Sequence, residues 1–162
     1  MQEMLEQARA PELVPIRSAT LAVTSGRSRG FRLASTRRRA DALLRDLVED
    51  LAAQGVTATG SASMSVVAVD DTGVGIEVGV VVHEPVVPTD TLRVVERPGH
   101  EAATLLVLGD PTERAWGRLR RFVADVDVVA DRRAYVTFQH PRLADERTWV
   151  NQLVQPVAPA GS

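Results

Sequence analysis

Ala40-Asp41-Ala42-Leu43-Leu44-Arg45-Asp46-Leu47-Val48-Glu49-Asp50-Leu51 and, later in the chain, Ala115-Trp116-Gly117-Arg118-Leu119-Arg120-Arg121-Phe122-Val123-Ala124-Asp125 decide the reading of the fold. Leu43, Leu44, Leu47, Val48 and Leu51 in the first stretch, and Trp116, Leu119, Phe122 and Val123 in the second, fall on one face of a 3.6-residue period. Each stretch is therefore predicted as an amphipathic helix, and Gly55 suits the end of the first. Ala40, Leu44, Arg45, Val48 and Asp50 also match Ala115, Leu119, Arg120, Val123 and Asp125 at a constant spacing of 75 residues, which points to an internal duplication.

Outward from the helices, the same order of elements is expected twice. Residues 13–23 mix β-branched and polar side chains and read as a strand, whereas residues 24–36, rich in Gly, Ser and Arg, read as a loop. After the first helix, Val-rich runs at 64–69 and 75–82 flank Asp70-Asp71-Thr72-Gly73, a hairpin pattern. In the second half, residues 92–108 are extended with a break at Pro98-Gly99, the second helix covers 113–123, and strands are expected at 133–138 and 148–157. Ala19-Thr20-Leu21 and Val23 match Ala103-Thr104-Leu105 and Val107 at a spacing of 84, Glu77-Val78 and Val82 match Gln152-Leu153 and Val157 at 75, and the middle strands fit only with a further shift in the turns. The chain is thus expected to be α+β, a tandem β-α-β-β repeat with pseudo-twofold symmetry. Because each helix and each small sheet has an apolar face to hide, two helices should cover one face of mostly antiparallel strands, with a ligand-sized groove at the repeat junction. The expected boundaries are an N-terminal extension at 1–12, a domain at 13–157 with repeats at about 13–84 and 90–157, and a frayed Pro/Gly-containing tail at 158–162.

Composition narrows the function. A chain of 162 residues can bury a real core, and with 44% apolar but only 4% aromatic residues that core should be aliphatic. The few rings are therefore informative. A net charge of -2 gives no overall positive field, so duplex DNA is not an expected direct partner. The absence of Cys excludes disulfides and thiolate chemistry and fits a reducing, cytoplasmic compartment. No apolar run suits a signal peptide or a membrane span, so no membrane partner is expected.

Gly109-Asp110-Pro111-Thr112-Glu113-Arg114-Ala115-Trp116-Gly117-Arg118-Leu119-Arg120-Arg121-Phe122, then Ala134-Tyr135-Val136, then Thr148-Trp149-Val150-Asn151-Gln152-Leu153-Val154-Gln155-Pro156-Val157, resembles the closing half of the GyrI-like family. Its members show a Gly before the second helix, a Trp with a Leu three residues on, an aromatic ending the helix, a Tyr-bearing strand and a last strand closing on Pro-Val. The resemblance, carried by the order of these features, extends over about residues 13–157. It implies a multidrug-type effector-binding domain, found alone or behind DNA-binding helix-turn-helix segments. About a dozen residues precede the first strand, too few for such a segment, so direct operator binding is not expected. Two departures stand out: Gln152 occupies the position where members often carry a cavity-facing Glu, and Pro111 stands where many have Tyr. An amide can donate and accept hydrogen bonds but cannot balance a buried cation, which tilts preference toward neutral compounds.

On this basis the ligand-binding candidates are Trp116, Tyr135, Phe138, Trp149, Gln152 and Glu77. The four rings could form a stacking wall, though core packing accounts for such rings equally well. Glu77 lies in the first repeat where Gln152 lies in the second and could supply the missing anion, but an acid between Ile76 and Val78 also fits a strand residue facing water. The expected function is sequestration of a small apolar or aromatic drug or natural product. The alternative is a hydrolase of the cyclopropane-opening type that the family also includes, with Glu77 as acid or base; a third is a protein-partner role on a DNA topoisomerase. No cofactor is expected, oligomeric state is left open, and His83, His100 and His140 lack metal-ligand spacing. Arg37-Arg38-Arg39, expected at the first helix start, opposes the helix dipole there and reads most simply as a solvated face.

Overall fold

The computed structural model describes residues 9–58, 61–138 and 150–161. In chain order the elements are β1 (Glu12–Ile16), β2 (Ala19–Arg29), α1 (Leu33–Ala53), β3 (Ala62–Asp70), β4 (Gly73–Val81), β5 (Arg93–Arg97), β6 (His100–Leu108), α2 (Glu113–Asp125), β7 (Val128–Ala130), β8 (Tyr135–Phe138) and β9 (Val150–Pro159). They form two compact units, one of residues 18–98 and one of residues 1–17 with 99–162. The fold is α+β with more sheet than helix, and each unit holds one strand–helix–strand–strand series, as expected from the repeat.

In the unit of residues 18–98 the strands lie in the order β3-β4-β2-β5, all antiparallel. Gly26 faces α1, since a Cβ there would lie 2.9 Å from Arg39 Nη2 and 3.0 Å from both Leu43 methyls. Alternation along the pleat then sends Ala22, Thr24, Gly26 and Ser28 of β2, with Val74, Ile76, Val78 and Val80 of β4, toward the helix. They meet Ala40, Leu43, Leu44, Leu47 and Leu51 of α1, all at most 6% exposed. Each such Leu contributes about 1.5–3 kcal/mol by leaving water. The connection from β4 to β5 is held by Gln54, whose amide donates to Val87 O at 2.9 Å and accepts from Val87 N at 2.8 Å.

The Gly/Ser/Arg segment expected as a loop is largely strand: β2 continues to Arg29 because residues 24–29 pair with Val78 to Gly73 of β4 along the whole ladder. Low intrinsic strand propensity is overridden by that partner. The helix consequently starts at Leu33, which moves Arg37, Arg38 and Arg39 beyond the first turn, where the dipole effect has faded. Its N-cap, Arg32, supplies no side-chain bond.

In the other unit the order is β1-β6-β9-β8, again antiparallel, with β7 also on β9. Ala103, Leu105 and Val107 of β6, Val136 of β8, and Leu153 and Val157 of β9 close on Ala115 and Leu119 of α2. This helix is better capped than α1. Thr112 Oγ1 accepts from Ala115 N at 3.1 Å, and Glu113 in the first turn complements the dipole and pairs with Arg120. The short strand β7 was not legible in the sequence. Ala158 and Pro159, expected in a frayed tail, pair with Val129 and Val128.

The spacing of 84 between the first strands is corrected by the ladders. Ser25 stands opposite Glu77, and Leu106 opposite Gln152. With the helices and last strands related by 75, β2 and β6 must correspond as Ser25 to Leu106, a slip of three residues from the sequence match. An odd slip exchanges the two faces of a strand. The sequence match set Leu21, which points away from α1, on Leu105, which packs against α2. Repeated Ala, Thr, Leu and Val made the wrong register look right.

Candidate functional site

Each unit has one face covered by its helix and one that is not, and alternation decides which side chains reach the second. In the unit of β6, β8 and β9, Gln152 points away from α2 because its neighbours Asn151 and Leu153 point toward it. Leu106 and Thr137 stand directly opposite Gln152 on either side, and Tyr135 stands opposite Val154, so all share the helix-free face. Leu108 opposite Val150 extends it. The result is an apolar floor of Leu106, Leu108 and Val150, half-buried, with an amide, a phenol and the Thr137 hydroxyl as polar groups. A cavity of about 60 Å³ is lined by Arg9, Leu106, Val107, Leu108 and Val150. Ligand pockets for drug-sized molecules measure roughly 300–1,000 Å³, so this cavity alone holds no more than a small fragment.

Trp116 and Phe138 are on the opposite side. Both are half-buried and packed against the Leu105, Leu119 and Leu153 core. Phe138 stands opposite Asn151, whose fully buried amide donates to Gly109 O at 2.5 Å and ties the start of β9 to the loop before α2. The sheet backbone therefore separates these two rings from Tyr135 and Gln152. Trp149, with His140, lies outside the described residues.

Glu77 occupies the corresponding place in the other unit. It points away from α1 between Ser25 of β2 and Ser65 of β3. Its Oε2 accepts from Arg93 Nη2 at 2.5 Å, and the same nitrogen lies 3.3 Å from Ser25 Oγ. Arg93 reaches it because β5 pairs Arg93 with Val23, on the same face. Ser63 and Gly79 lie on the same face, with Val23 packed over Gly79 and Leu21 beyond it, so this face sets a charged and hydroxylic cluster beside an aliphatic patch. Sequence reading missed Leu106, Leu108, Thr137, Ser25, Ser65 and Arg93. The alternation in Thr104 to Leu108 and the step of two from Tyr135 to Thr137 carry the signal for some of them; Arg93 is visible only once β5 pairs with β2.

At the far end of this unit the β3–β4 turn carries a strongly perturbed acid. Asp70 accepts from Arg27 at 2.6 Å, from Thr72 N at 2.9 Å and from Thr72 Oγ1 at 2.8 Å, and these bonds hold its carboxyl well below the usual carboxylate range. The side chain is 52% exposed and belongs to the turn. Among the described residues no three His, Asp or Glu side chains gather as a metal site, and no helix is long and apolar enough to cross a membrane.

No protein-family model matches the sequence, and no curated protein matches it. Solved structures do. The EcmrR C-terminal domain is similar with a TM-score of 0.76 at 12% identity, over 94% of this chain and 99% of that one. In EcmrR solved with DNA, the TM-score is 0.78 at 13% identity over 99% of this chain, which spans only 66% of that chain. A hydrolase encoded by lin2189 from Listeria innocua gives a TM-score of 0.60 at 13% identity, covering 93% and 92% of the two chains. SAV2435, solved with tetraphenylphosphonium, gives 0.54 at 10% identity, covering 91% and 93%. The chain thus shares the fold of these proteins. That fold is the one expected from the GyrI-like resemblance.

Proposed function

We propose that the chain binds small, largely apolar or aromatic molecules, a drug or natural product, and sequesters or senses them without transforming them. The observation that carries the reading is the helix-free face around Gln152, where Leu106, Leu108 and Val150 provide apolar area and Tyr135 and Thr137 provide orienting hydroxyls. Rings and branched aliphatics give contact area at low entropic cost, and few polar groups then fix orientation. The solved complex of SAV2435 with a lipophilic ligand on the same fold supports it. Glu77 joins the reading as the first repeat's counterpart of Gln152. Trp116 and Phe138 enter it as the packing beneath the floor, and Trp149 as a further ring of the second repeat.

The test is isothermal titration with a neutral lipophilic probe such as triphenylphosphine oxide. Gln152→Ala and Tyr135→Ala should each weaken binding by about three- to tenfold, the loss of one hydrogen bond or one ring contact. Unaltered affinity in both variants would move the site elsewhere.

The hydrolase reading draws on the fold of the lin2189 protein and on Glu77 as a carboxylate on a helix-free face. A general base must be able to accept a proton, and the Glu77 carboxylate is already engaged by Arg93. Mass spectrometry of a strained, cyclopropane-bearing compound after incubation with stoichiometric protein separates the two: recovery of intact compound favours binding. One neighbour is solved with DNA, so the expected absence of direct DNA contact becomes a measurement for the same protein preparation.

A further inference from the structure

Glu77 is the acid at the repeat position where the second copy has an amide, and its surroundings decide what that acid can do. It is only partly shielded, with a side chain 32% exposed, so a ligand on that face would meet its charge. That charge is already answered within the chain. Arg93 comes from β5, which pairs with β2 rather than with β4, and its guanidinium crosses the face to Glu77 Oε2 at 2.5 Å, beside Ser25 Oγ. Bidentate-capable, permanently charged Arg is suited to hold a carboxylate in this way.

We propose that Arg93 is a specificity-determining residue: a built-in counter-ion that occupies Glu77 and so makes the face unattractive to lipophilic cations. This rests on the proposed small-molecule function. The two repeat-related positions then reach electrical neutrality by different routes, Gln152 by its amide and Glu77 by its ion pair. A cationic ligand must displace Arg93 or sit beside a like charge, whereas a neutral ligand meets neither cost. The arrangement selects by charge at a place where the apolar surface cannot, since apolar contacts do not distinguish a cation from its neutral analogue of the same shape.

The experiment uses the full chain, tetraphenylphosphonium as the permanent cation and triphenylphosphine oxide as the neutral probe, titrated calorimetrically at low and high salt. Arg93 is 58% exposed, so Arg93→Gln should fold as the parent does, which urea unfolding checks; Arg93→Met serves if it does not. Arg93→Gln should bind tetraphenylphosphonium about five- to tenfold more tightly than the parent, less so at high salt, with triphenylphosphine oxide unchanged. The double variant Glu77→Gln, Arg93→Gln should lose the gain. No gain in Arg93→Gln, or a gain that survives in the double variant, overturns the assignment. Failure of the neutral probe to bind the parent would instead sink the proposed apolar-ligand function. A Glu77-dependent gain for the cation would still uphold the role of Arg93.

Discussion

The two units carry the same series of elements but spend their interiors differently. Beneath α1 the ladder position Gly26 has no side chain, and Leu43 and Arg39 fill the space where its Cβ would lie. At the corresponding position beneath α2 stands Val107, 4% exposed. One helix runs from Leu33 to Ala53 without a side-chain N-cap; the other is shorter, from Glu113 to Asp125, and is capped by Thr112. The hairpins differ too. Asp71 and Thr72 alone join β3 to β4, while residues 139–149 join β8 to β9. The lesson is that the first unit gains its definition from close backbone approach and a tight turn, and the second from side-chain bulk and a buried amide. Their sensitivities to substitution should therefore differ in kind.

The largest effect is expected at Gly73. Its φ is +152°, and a Cβ there would fall 2.1 Å from Ser28 O, a backbone atom that cannot step aside without breaking the β2–β4 ladder. Gly73→Ala should cost about 3 kcal/mol or more, read as a fall in the urea midpoint followed by far-UV circular dichroism. A change under about 1 kcal/mol would mean that the turn is not the anchor of its unit. Next comes Asn151, the anchor of the second unit. Replacing it by Ala leaves Gly109 O without its donor in a part-buried setting, at a cost of about 1–3 kcal/mol. Both Trp residues, Trp116 and Trp149, belong to the second repeat, so the change should appear in Trp fluorescence as well as in dichroism.

The smallest effect belongs to Asp70. Its folded-state pKa is depressed by Arg27 and Thr72, so its contribution is complete above the ordinary carboxylate value of about 4 and is lost as pH falls below it. Because the unfolded chain takes up the proton first, acid weakens the first unit's turn. Asp70→Asn should flatten the decline in stability below about pH 4 while leaving stability at neutral pH only slightly lower. An unchanged acid limb would assign that decline to other carboxylates.

Much of the architecture was legible because it follows periods that tolerate small errors. The stripes Leu43, Leu44, Leu47 and Leu51, and Trp116 and Leu119, locate both helices, and the 75-residue spacing holds for the helices and the last strands. Register was not legible where several alignments of small aliphatic residues looked alike, as the misplaced match of Leu21 with Leu105 shows. Nor was the strand character of Thr24 to Arg29, since Gly and Ser disclose nothing about a partner fifty residues away. In the candidate site, the pairing of Glu77 with Gln152 by repeat position was readable, and so was Tyr135. The separation of Trp116 and Phe138 from them was not, because it depends on which face of β8 meets α2. Arg93 was beyond reach for a related reason: its role is set by a strand exchange that no local pattern announces.

That exchange has a consequence for where the chain can be divided. β1 opens the first repeat but pairs Ile16 with His100 of the second unit, and β5 opens the second repeat but pairs Arg97 with Ala19 of the first. On each strand two residues, Arg17-Ser18 and Pro98-Gly99, separate the ladders. A polypeptide begun at Ser18 would keep the nearer unit intact and injure the farther one, baring the backbone groups of β6 along His100 to Thr104. An exposed run of that kind is a template for another chain's strand. Residues 12–16 thus cover this edge of β6, and proteolysis at Arg17 would be felt more than eighty residues downstream.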